Sequence, residues 1–113
     1  MVSDDERRRS RPAWVPWMNE VDLLILEFLE EAARENPDPP ALSVGVIYHN
    51  LVTLREESEK ARSTFSRRCQ RLASLGLIEN TNAERAPYYR ITESGRQYIR
   101  GEMPREDVPR LEE

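Results

Sequence analysis

Apolar residues recur at helical spacing in four stretches of the chain and at strand spacing in two, with proline, asparagine and glycine between them. The first helix starts at Asn19, a good N-cap followed by Glu20 and Asp22, and runs to about Glu35, where Asn36-Pro37 stops it. Its stripe is Val21, Leu24, Ile25, Phe28, Leu29 and Ala32, while Leu23, Leu26 and Ala33 fall off it. A helix apolar over more than one face packs against two neighbours or lies at a subunit interface. After the loop Asn36-Pro37-Asp38-Pro39-Pro40, a helix of about two turns is capped by Ser43 and carries Val44, Ile47, Tyr48 and Leu51. The third shows Ala61, Phe65, Cys69, Leu72 and Gly76 on one face, with Ser58 rather than Ala61 as its expected cap. Gly76 is a natural left-handed stop. Leu77-Ile78-Glu79 and Tyr88-Tyr89-Arg90-Ile91 then read as short strands joined by a hairpin from Asn80 to Pro87. Thr92 caps a last helix to about Arg100, with Gly95 leaving room for close backbone packing and Gly101 at the stop.

Charge changes this picture at one place. From Lys60 to Ile78 there are five basic residues, Lys60, Arg62, Arg67, Arg68 and Arg71, and no acidic one, in a chain with net charge −4. At ~100° per residue, Ser63, Arg67, Gln70 and Ser74 lie opposite the apolar stripe, flanked by Lys60, Thr64, Ser66 and Arg71. Arginine offers paired donors to guanine, glutamine pairs with adenine, and hydroxyls suit base or phosphate. A short basic amphipathic helix followed directly by a strand hairpin predicts a winged helix-turn-helix, mainly α with a small β-hairpin. The helix face is its DNA-reading surface and the hairpin its wing, with Arg85 near the tip reaching a phosphate or the minor groove. The three glutamates in Leu54 to Glu59 should point away from DNA, and that connection is longer than the 3 to 4 residues of a compact helix-turn-helix.

With 113 residues there is room for one small core. The single Cys69 excludes an internal disulfide, and no apolar run reaches the ~18 residues of a membrane span, so a soluble cytoplasmic protein is expected. Lys60 is the only lysine beside 16 arginines, which fits either a salt-rich cytoplasm or a GC-rich genome. Residues 1–16 lack an apolar period, contain Arg7-Arg8-Arg9-Ser10-Arg11 and read as a flexible basic arm; phosphate contact is its functional alternative to a solvated tail. Residues 17–103 form the DNA-binding domain, and 104–113 read as a flexible acidic tail. His49 has no Cys, Asp or Glu at ligand spacing, so no metal is expected. There is no glycine-rich phosphate loop, nucleophile with histidine, or apolar carboxylate pair, hence no enzyme and no cofactor. Cys69 on the core face reads as packing rather than redox chemistry.

Several stretches together resemble the winged-helix repressors of haloarchaea related to the phage phiH repressor. These are Trp17-Met18 with Val21-Asp22 and Ile25-Leu26, Ala61-Arg62-Ser63-Thr64-Phe65-Ser66-Arg67-Arg68, Leu72 with Leu75-Gly76-Leu77-Ile78-Glu79, and Tyr88-Tyr89-Arg90-Ile91-Thr92 with Gly95 and Tyr98. The resemblance spans Trp17 to Met103. It implies that the helix matching Arg62 to Ser74 enters the major groove and that Asn80 to Pro87 is the wing. Two features depart from the pattern: the long Leu54 to Lys60 connection, and Cys69 where an aliphatic residue is common. The expected DNA-binding residues are Lys60, Arg62, Ser63, Thr64, Ser66, Arg67, Gln70 and Arg71, with Arg85 on the wing. The other reading is a winged-helix module that turns the same face to an acidic protein partner. A homodimer is expected through Trp14, Trp17, Leu23, Leu26, Tyr98, Ile99 and Met103, because one reading helix covers only a few base pairs.

Overall fold

The computed structural model describes residues 15, 18–34, 36, 38–82 and 85–108. Helix α1 spans Glu20–Arg34. Its start is a reciprocal cap: the Asp22 N–H donates to Asn19 Oδ1 at 3.1 Å and the Asn19 N–H donates to Asp22 Oδ2 at 2.9 Å. Strand β1 is Leu42–Ser43, and Ser43 is also the N-cap of α2, Val44–Tyr48, its Oγ accepting from the Val46 N–H at 3.2 Å. Helix α2 continues as a π-helical turn, His49–Leu54, with the Arg55 N–H reaching back to the Asn50 carbonyl at 2.9 Å. Glu56 then takes φ 52°, a left-handed conformation uncommon outside glycine, and an extended segment leads to α3, Arg62–Ser74. Of the long connection only Leu54 belongs to a helix; the rest is loop.

Ala61, not Ser58, occupies the N-cap of α3, where it makes no side-chain cap; Ser58 Oγ instead accepts from the Lys60 N–H at 3.1 Å, outside the helix. Gly76, at φ 79°, ends α3 in the left-handed region as its sequence position predicts. The wing is β2, Ile78–Asn80, and β3, Tyr88–Ile91, antiparallel with Ile78 opposite Ile91 and Asn80 opposite Tyr89. Strand β1 adds to the other edge of β3, giving the order β1-β3-β2, with Leu42 opposite Tyr89. This third strand is absent from the expected pattern, because two residues after a proline pair show no alternation to read. Helix α4, Glu93–Ile99, is capped by Thr92 Oγ1, which accepts from the Gly95 N–H at 3.0 Å and donates to the Gly76 carbonyl at 2.6 Å. That hydroxyl joins the base of the wing to the end of α3.

One core joins these elements: Ile25, Leu26 and Leu29 of α1, Ile47 and Leu51 from α2 and its extension, Phe65, Cys69 and Leu72 of α3, and Tyr98 of α4. Tyr48 meets Phe65 edge to face at 5.6 Å and 88°, fixing α2 against α3. Val15 and Val108 are also buried, so packing reaches into both stretches read as arm and tail. Near the second, the chain turns through Arg105–Asp107. A single valine among prolines and charges carries no period, which is why neither was legible. Along α1 the buried face is Val21, Asp22, Ile25, Leu26, Phe28, Leu29, Glu30 and Ala33. Leu24 and Ala32, expected on the main stripe, are only half-buried, and two carboxylates take part in the core.

Candidate nucleic-acid interface

Both buried carboxylates of α1 hold arginines. Asp22 is fully buried and binds Arg68 of α3 through both oxygens, Arg68 Nε donating to Oδ1 at 2.7 Å and Nη2 to Oδ2. Glu30, 2% exposed, accepts from Arg96 Nε at 3.1 Å and Arg100 Nε at 2.5 Å. The first pair ties α1 to α3 and the second ties α1 to α4. Burial, with a smaller contribution from Asp22, pushes both the Cys69 thiol and the Tyr98 hydroxyl up to about 12. Cys69 is fully buried and protonated at neutral pH, which suits packing.

Phe65, Cys69 and Leu72 anchor α3 in the core and turn its other side outward. Lys60, Arg62, Ser63, Arg67, Gln70 and Arg71 are exposed, and Thr64 and Ser66 are half-buried along the edges of that face. Ala61 and Gly76, the ends of the predicted stripe, are exposed, so the buried seam of α3 is three residues long. On the wing, the Asn82 side chain donates to the Ala86 carbonyl at 2.9 Å and the Asn82 N–H donates to Asn80 Oδ1 at 2.9 Å. Arg85 is exposed beside this turn.

Cations divide into two groups by their partners. Arg55, Arg68, Arg90, Arg96 and Arg100 each engage a carboxylate. Arg34 at the end of α1, and Lys60, Arg62, Arg67, Arg71 and Arg85, make no side-chain hydrogen bond or ion pair with any described residue. Every basic residue expected at the DNA is in the second group, and its donors are open to an outside anion. Arg68, in the same basic run, belongs to the fold. Of the glutamates before α3, Glu57 is drawn toward α1: Arg55, which pairs with Glu31 at 3.1 Å and Glu57 at 3.7 Å, lies 5.1 Å from the Phe28 ring centroid.

The expected dimer surface is corrected at two residues. Leu26 is 0% and Tyr98 1% exposed, both consumed by the chain's own core, so neither is available to a second copy. Leu23, Ile99 and Met103 are half-buried at the edge of that core, and Trp14 and Trp17 lie outside the described residues. Among the described residues no helix is long and apolar enough to cross a membrane.

Three helices around one core, with the third presenting an exposed basic face and running directly into an antiparallel hairpin, define a winged helix-turn-helix, a class built to put a helix against DNA. The particular family follows from comparison: a family model for the winged helix-turn-helix phage repressor matches residues 11–112, and the chain belongs to that family of DNA-binding regulators. No curated protein and no solved structure matches the chain significantly. The side chains that sequence reasoning missed are Asp22 and Glu30. Their signal was a pair of acids in register with Leu26 on an otherwise apolar face.

Proposed function

We propose that this chain is a sequence-specific, double-stranded-DNA-binding transcriptional repressor. It lays the exposed face of α3 in the major groove and rests the β2-β3 wing on the backbone or in the minor groove. The observation that carries this reading is that Arg62, Arg67, Arg71 and Arg85, all exposed on α3 and the wing, have no partner among the described residues, whereas Arg68 and Arg90 of the same elements, and Arg55, Arg96 and Arg100 elsewhere, hold carboxylates. Arg67, at the centre of the exposed face with Ser63 and Gln70 beside it, takes a guanine through its paired donors. Lys60, Arg62, Arg71 and Arg85 face phosphates, with Ser63, Thr64 and Ser66 as short hydroxyl contacts. After selection of a preferred site from random duplexes, Arg67→Ala is expected to lose ~1 to 3 kcal/mol of discrimination at one base position and to keep the wild-type melting temperature. An unchanged base preference would show that another residue reads the site.

The arginine-rich, lysine-poor composition supports a cytoplasmic repressor of the haloarchaeal type resembling that of phage phiH. A two-fold homodimer, pairing α1 near Leu23 with the C-terminal helix near Ile99 and Met103, would set two α3 helices ~34 Å apart and double the sequence read. Light scattering is expected to give twice the chain mass, and Leu23→Glu to return it to one. Leu26→Glu is unsuitable, because it unfolds the core. A single-chain mass for the wild type at tens of micromolar would remove the dimer.

A further inference from the structure

Gly45 stands in the first turn of α2 with no backbone reason to be glycine. Its φ is not in the left-handed region, and alanine is the better helix former. What occupies the space of its missing side chain is Arg62, the first residue of α3: a Cβ on Gly45 would lie 3.1 Å from Arg62 Nη2 and 3.5 Å from its Cζ. The guanidinium therefore rests on the bare backbone of α2, and its donors find no partner among the described residues. Two residues before Gly45, the Ser43 that caps α2 pairs with Tyr88 of the wing strand, and Val46 and Tyr88 are both exposed. The guanidinium sits where the reading helix meets the supporting helix.

We propose that Gly45 is a positioning residue for DNA binding: by leaving room for the Arg62 guanidinium against α2, it holds that group in place to bind one backbone phosphate flanking the site read by α3. The inference rests on the DNA-binding reading above and deepens it. A flexible arginine held by packing on one side loses less freedom on binding a phosphate than one free in solvent, and its planar fork meets two phosphate oxygens at once. A methyl at position 45 would displace the guanidinium, which is the movable partner, and leave the helix intact or better formed.

The signs of the two effects are therefore opposed. Gly45→Ala is expected to melt at or above the wild-type temperature and yet bind the selected duplex about tenfold more weakly at low salt. Its plot of log affinity against log salt should be shallower by about 0.9, the value of one phosphate contact. Arg62→Ala should show the same loss and the same slope, and Gly45→Ala/Arg62→Ala should be no weaker than Arg62→Ala alone, because both remove one contact. Losses that add in the double variant, or a Gly45→Ala protein with wild-type affinity and slope, would overturn the proposal while leaving the DNA-binding reading in place. A wild-type protein with no affinity for any duplex would instead overturn both.

Discussion

Arg68→Ala is expected to destabilise the folded chain by about 3 to 5 kcal/mol, although the neighbouring Arg67→Ala should change stability by less than about 0.5 kcal/mol. The contrast follows from which side of α3 each arginine leaves. Arg67 is exposed and without a described partner, whereas Arg68 covers the fully buried Asp22 with two parallel hydrogen bonds. Without Arg68, a carboxylate is left in the core with no countercharge. A loss of that size is a large share of the roughly 5 to 15 kcal/mol that holds a domain together, so thermal melting should fall by at least about 12 °C. Arg68→Lys should recover only part, since an ammonium cannot reproduce the bidentate fork. Any loss of DNA binding by Arg68→Ala is then a consequence of unfolding and disappears when measured well below its melting point. An Arg68→Ala protein with wild-type melting would mean that Asp22 does not depend on it.

Gly95→Ala is the second large effect, expected at about 3 kcal/mol or more. A Cβ there would lie 1.9 Å from the Leu77 carbonyl oxygen and 2.8 Å from Ile91 Cγ1. Overpacking usually costs ~1 to 3 kcal/mol, and this case belongs at the upper end because the obstructing atom is backbone and has no rotamer to escape into. That carbonyl also accepts the Thr92 N–H at 3.2 Å, so moving it disturbs the base of the wing. The gain of about 1 kcal/mol in helix propensity does not offset the overlap. Urea unfolding should show a lowered midpoint with an unchanged slope. A wild-type midpoint would show that α4 can shift away from the sheet without cost.

The same glycine shows how much could be read without coordinates. Close packing at Gly95, the left-handed stop at Gly76 and the caps at Asn19, Ser43 and Thr92 are local, each decided by a few neighbouring residues, and all were legible. So was the exposed face of α3, because a charge-free apolar seam and a cationic face diverge within one helix. Pairings between distant positions were not. Asp22 with Arg68, Glu30 with Arg96 and Arg100, and β1 with β3 join segments whose partnership exists only after folding. Assigning Leu26 and Tyr98 to a dimer surface failed for the same reason. Helical periodicity says that a residue is apolar and off the main stripe, but not that α3 and α4 have room to cover it. The space that Gly45 gives Arg62 is of this kind too, since no pattern links positions 17 residues apart across a helix-turn-helix.

That α3 reads the major groove through Arg67 is tested most directly by methylation interference on the selected duplex. Guanine N7 lies in the major groove, where a methyl group blocks one of the two acceptors an arginine fork needs, whereas adenine N3 lies in the minor groove. The expected result is that N7 methylation of one guanine in the site excludes the wild-type protein, while Arg67→Ala, already weaker, is indifferent to that methyl. Wild-type binding that tolerates N7 methylation at every guanine, and is blocked only by methylation at adenine N3, would contradict it.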